Sequence, residues 1–96
     1  MEKPFTWDPQ KAATNSQKHQ MTFEEAQTVF DDPLAVIFDD ESHSTDEVRE
    51  IIVGHSLRNR LLLVSLTERA TSIRIISARR ATDFERRAYE EGTGYV

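Results

Sequence analysis

Ser72-Ile73-Arg74-Ile75-Ile76-Ser77-Ala78-Arg79-Arg80 is an apolar strand broken by arginine, and the fold is read outward from it. Under the two-residue period of a strand, Ile73 and Ile75 face one side and Arg74 and Ile76 the other. A guanidinium does not shed its proton to escape burial. Arg74 therefore requires either an internal carboxylate or an outside anion such as phosphate. The preceding run, Arg60-Leu61-Leu62-Leu63-Val64-Ser65-Leu66-Thr67, is apolar on both faces, which predicts a central strand covered on two sides. Upstream, Glu47-Val48-Arg49-Glu50-Ile51-Ile52-Val53-Gly54 and Leu34-Ala35-Val36-Ile37-Phe38 predict two more strands. The connections are short, so the four strands form an antiparallel meander.

Helices flank this block. Asp8-Pro9 is an N-cap with proline at the first helical position, opening a weakly apolar helix to about Lys18. Thr22-Phe23-Glu24-Glu25 is a capping box, and Phe23, Ala26, Gln27 and Phe30 make a core stripe before Pro33 ends the helix. Thr82-Asp83-Phe84-Glu85 is a second capping box, for a last helix that ends near Gly92. The expectation is an α+β fold: a mainly antiparallel four-stranded sheet with two N-terminal helices and one C-terminal helix, the helices segregated onto one side.

The chain has 96 residues, 38% of them apolar, which suits one small domain spanning residues 1–96. It has no cysteine, so disulfide and thiolate chemistry are excluded. No run is long enough to span a bilayer, and Met1-Glu2-Lys3-Pro4 lacks the basic and apolar regions of a secretory signal. A cytoplasmic protein is expected.

Net charge is −5, unevenly divided. Residues 1–46 carry three Lys against ten Asp and Glu, giving −7. Residues 47–87 carry nine Arg against five acids, giving +4, and Glu90 and Glu91 add −2. Every cation of the later half is arginine, whose planar fork suits phosphate and carboxylate alike. The chain has no Gly-rich phosphate loop and no Gly-x-Ser-x-Gly elbow, which disfavours nucleotide and serine hydrolases. Asp39, Asp40, His43 and Asp46 lack the spacing of a metal site and read as a solvated loop, so no metal or other cofactor is expected.

Several blocks resemble the BrnT family of bacterial toxins: Phe5-Thr6-Trp7-Asp8-Pro9 with Lys11, Asn15 and Lys18-His19; Phe23-Glu24-Glu25-Ala26; Val29-Phe30-Asp31-Asp32-Pro33; Glu47 with Arg49; Thr67-Glu68-Arg69; and Arg74-Ile75-Ile76-Ser77-Ala78-Arg79-Arg80-Ala81 through Glu85-Arg86-Arg87 and Tyr89-Glu90. The resemblance covers nearly the whole chain. It implies a RelE-like fold, a ribonuclease that arrests translation, and neutralisation by a BrnA-like ribbon-helix-helix antitoxin. Two positions depart from the family pattern. Gln20 follows Lys18-His19 where glycine is usual, and Leu66 precedes Thr67-Glu68 where members often carry histidine.

Metal-independent RNA cleavage needs a base for the ribose 2′-hydroxyl, cations for the phosphorane charge and an acid for the departing 5′-oxygen. Arginine suits the second task. His19, beside Lys18 at a helix end, is the acid or base candidate, aided by Glu47 or Tyr89; its other reading is a bond to the helix's last carbonyls. Arg49 and Arg74 either form a cationic patch or pair with Glu47, Glu50 or Glu85. Arg79 and Arg80, with Lys11, read as phosphate contacts, and Tyr89 as a base-stacking or packing ring. The expected catalytic set is His19, Lys18, Arg49, Arg74 and Glu47, and the expected RNA-binding set is Arg79, Arg80, Tyr89 and Lys11. The alternative is a catalytically silent module whose basic face docks an acidic partner.

Overall fold

The computed structural model describes residues 3–41 and 47–92. Of the residues in the acidic stretch, His43 and Asp46 lie outside them. In chain order the elements are β1 (Phe5–Thr6), α1 (Pro9–His19), α2 (Phe23–Gln27) running into a 3-10 turn (Thr28–Asp31), β2 (Val36–Asp39), β3 (Glu50–His55), β4 (Leu61–Glu68), β5 (Ile73–Arg80) and α3 (Asp83–Glu91). They form an α+β fold whose sheet has the order β1-β5-β4-β3-β2, antiparallel except where β1 pairs with β5.

The sheet has five strands where the sequence predicts four. The sequence reads Phe5-Thr6-Trp7 as a short extended piece apart from those four; Phe5 and Thr6 pair with Ile73 and Arg74, and the Ile73 N–H donates to Pro4 O at 2.9 Å. The predicted strand from Leu34 starts later, because the Ala35 N–H turns back to Asp32 O and the Leu34 N–H donates to Asp32 Oδ1. The helices are also not all on one side. One face of the sheet, through Ile52, Leu62, Val64, Leu66, Ile75 and Ala78, packs on Met21, Phe23, Ala26 and Val29 of the α1–α2 region. The opposite face, through Val53, Leu61 and Leu63, packs beneath Tyr89 of α3.

Local chemistry fixes these elements. Asp8 caps α1 by accepting from the Gln10 N–H at 2.9 Å. Only half of the first capping box forms. Thr22 accepts from the Glu25 N–H, but the Glu25 carboxylate turns inward to accept from Ser56 Oγ at 2.7 Å and from the Arg60 guanidinium. The second box is complete at Thr82 and Glu85. β4 is central and buried along most of its length, as its two-sided apolarity predicts.

A bulge in β5 decides what faces where. Ser77 pairs with Ser65 while Ile75 pairs with Leu66, so Ile76 is an extra residue in the strand. Directly paired residues share a face. The pairs Thr67–Arg74, Ser65–Ser77 and Leu63–Arg79 therefore put Arg74, Ser77 and Arg79 on one face, the α3 side. Without the extra residue, simple alternation sends Arg74 and Arg79 to opposite sides.

Candidate functional site

Past the end of β1, β5 is an open edge, and α1 lies along it. Asn15 makes the join. Its Oδ1 accepts from the Ala78 N–H at 3.1 Å, and its Nδ2 donates to Ala78 O at 2.9 Å and to Met21 O at 3.0 Å. A buried side-chain amide thus stands in for a neighbouring strand. Between α1 and the bulge lies a shallow cavity of about 510 Å³, lined by Lys11, Lys18, His19, Thr14, Ile76 and Ser77 among others. Lys11 and Lys18 are exposed and His19 is half-buried. Helical spacing explains the grouping, since residues three, four and seven apart stack on one side of α1.

Ser77 links this groove to the α3-side face, where Arg74 is half-buried. At the rise of a strand, Arg74 lies roughly 7 to 10 Å along β5 from Ile76 and Ser77. Among the described residues, Arg74 has neither a carboxylate nor another hydrogen-bond partner. Arg49 precedes β3 and continues the row through Thr67, whose Oγ1 donates to Val48 O at 2.8 Å. Lys11, Lys18 and His19 thus gather on one groove, and Arg74 lies beside it.

The remaining predicted residues are engaged elsewhere. Glu47 accepts from Arg69 Nε at 3.1 Å and Nη2 at 3.2 Å, tying the approach to β3 to the turn before β5. Arg79 donates through both terminal nitrogens to Glu85 at 2.8 Å, which holds the Glu85 carboxyl below its ordinary range despite burial. Arg80 is exposed at the end of β5, across the sheet from Arg79's side. Tyr89 points inward: its hydroxyl donates to Asp32 Oδ2 at 2.7 Å. Burial and the adjacent carboxylate push its phenol up to about 12.

Sequence reading missed a second cluster here. Asp32 also accepts the His55 N–H at 2.8 Å, and His55 Nδ1 lies 3.1 Å from the Tyr89 hydroxyl. With the phenol proton committed to Asp32, Nδ1 carries the proton in that contact. The chain separation of Asp32, His55 and Tyr89 hid the cluster. Ser77 and Thr14 were likewise passed over, since small hydroxyls carry no pattern of their own. Among the described residues, no group of three or more His, Asp or Glu gathers in a way that could hold a metal ion.

The profile of the family described as "Ribonuclease toxin, BrnT, of type II toxin-antitoxin system" matches residues 7–85. A similar solved structure is the crystal structure of the Brucella abortus ribonuclease toxin, BrnT. Its TM-score is 0.66 at 20% identity, with 85% of this chain and 100% of that chain covered. No curated protein sequence matches. The fold and family together place the chain among the ribonuclease toxins of type II toxin–antitoxin systems. Within that class it belongs to the BrnT family.

Proposed function

We propose that this protein is a RelE-like, cytoplasmic, metal-independent endoribonuclease that inhibits translation, and that it works at the α1–β5 groove and the adjoining Arg74 face. The observation that carries the reading is a half-buried guanidinium with no described carboxylate, beside a groove lined by two lysines and a histidine. Lys11 and Lys18 hold backbone phosphates flanking the cut. His19 takes the 2′-hydroxyl proton or protonates the departing oxygen, and Arg74 stabilises the charge that grows on the phosphorane. Arg49 extends the cationic row and Arg80 meets the strand further out. Arg79, Glu47 and Tyr89 already satisfy partners, so in this reading they shape the face and stay out of the chemistry.

Leu66 bears on activity. It is buried on the α1–α2 side of the sheet, in the core and on the opposite face from Arg74. Leucine there removes no group from the proposed face.

The test is RNA cleavage by the purified protein in excess chelator. Arg74→Ala is expected to lower the rate about 100-fold or more, the usual cost of losing one transition-state charge partner, with the melting temperature unchanged. Full activity of Arg74→Ala, or cleavage that chelator abolishes, contradicts the proposal. The neutralising partner in this reading is a BrnA-like ribbon-helix-helix antitoxin, acidic where it covers Arg74 and the lysines. That complex weakens as salt rises; a salt-insensitive complex counts against an acidic contact.

A further inference from the structure

The far edge of the sheet offers a second surface, independent of the nuclease reading. Among the described residues β2 is the last strand of the sheet, paired only with β3. The Asp40 N–H donates to Arg49 O at 2.8 Å, which fixes the alternation of the ladder. Val36 and Phe38 turn their backbone groups toward β3; Ile37 and Asp39 turn theirs outward. No described residue receives those outward N–H and C=O groups, so two residues' worth of ladder is open to an added strand.

Side chains on this edge specify what the added strand carries. Ile37 and Asp39 point to the same face, paired with Ile52 and Glu50. Ile37 is 56% exposed although its cross-strand neighbour is core. Leu34, just before the strand, is 70% exposed. Two residues on, Asp39 lies directly across from Glu50, a like-charge pair that is destabilising when left alone. Glu50 is partly desolvated, and the charges of Glu68 and Asp39 add to that burial in pushing its carboxyl above the ordinary range. Glu41, exposed just beyond β2, adds another negative charge.

We infer that the β2 edge docks an extended, basic segment of another protein, which adds as a sixth strand and places an apolar side chain beside Ile37 and, two residues away, a Lys or Arg beside Asp39 and Glu50. Backbone pairing supplies the affinity and the apolar-x-basic spacing supplies the register. A cation at that place neutralises the crowded carboxylates, which is why an acidic or neutral segment does not substitute.

Short capped threonine peptides test this, one carrying isoleucine and, two residues on, lysine, the other carrying glutamate in place of the lysine. With isotope-labelled protein, the lysine peptide is expected to shift the amide signals of Val36–Asp39 and Glu50 and to bind about tenfold more tightly than the glutamate peptide, a factor equal to 1.4 kcal/mol. Asp39→Lys, at an exposed position, is expected to reverse that preference with the fold intact. Equal affinity for the two peptides, shifts confined to the α1–β5 groove, or no binding at millimolar peptide overturns the inference. So does a concentration-dependent dimer abolished by Ile37→Lys, which assigns the edge to a second copy of the chain.

Discussion

At the scale of single residues, Gln20 closes α1 in a backbone conformation that favours glycine. It adopts the left-handed conformation, φ 55° and ψ 40°, and its N–H donates to Ser16 O at 2.8 Å to close α1. Glycine takes this conformation without penalty; a residue with a Cβ does not. Gln20 is exposed and no described group bonds its side chain. Gln20→Gly is therefore expected to stabilise the protein by about 1 kcal/mol, read as a higher urea midpoint at unchanged slope. A loss of stability shows that the glutamine side chain contributes something the geometry hides. Arg74 makes the complementary point. Strand pairing with Thr67 and Thr6 holds its backbone in place, while its guanidinium meets no described carboxylate.

At the scale of elements, the join between α1 and β5 positions the proposed site. Asn15 supplies three buried hydrogen bonds there, two across it to the Ala78 backbone and one to Met21 O just past the end of α1. Replacing it leaves the Ala78 N–H and two carbonyls without partners, so Asn15→Ala is expected to cost about 2 to 4 kcal/mol. The loss of RNA cleavage should follow α1 and exceed the loss of folded protein at the assay temperature. Hydrogen exchange at the Ala78 amide tests the mechanism: unchanged protection in the variant rules out the proposed join. Much of this element layer was legible in the sequence. The caps at Asp8 and Thr82, the central β4 and the stripe through Phe23 and Ala26 follow from local patterns. What was not legible depends on distant partners. The pairing of Phe5–Thr6 with β5, the extra residue at Ile76 and the diversion of Glu25 to Arg60 are decided by tertiary neighbours that no short window contains. The site shared that division: Lys18 and His19 read together at the end of α1, but the groove that brings Lys11 to them and the partners of Arg79, Glu47 and Tyr89 came from other elements.

At the scale of the whole molecule, charge is distributed so that carboxylates act in two opposite ways, and pH separates them. Hydrogen bonds from Arg60 and Ser56 hold Glu25 below its ordinary range, and those from the His55 N–H, Tyr89 and the Leu34 N–H do so for Asp32 against its burial. Arg79 and the Thr82 N–H do the same for Glu85. A carboxylate with a depressed folded pKa contributes stability above its unfolded value, near pH 4, and loses it as pH falls through the folded value. These three predict unfolding that sets in below about pH 4. Glu50 runs the other way. Burial first, then Glu68 and Asp39, raise its folded pKa, so its charged form is disfavoured and its cost appears as pH rises through the unfolded value, near 4, toward the raised one. Glu50→Gln removes that cost. Denaturant melts at pH 7 are expected to show the variant more stable than the parent, with the gain vanishing below about pH 4, where Glu50 is protonated in both states. A gain of equal size at both pH values would trace the effect to packing and sever it from charge, and with it the argument that the β2 edge awaits a cation.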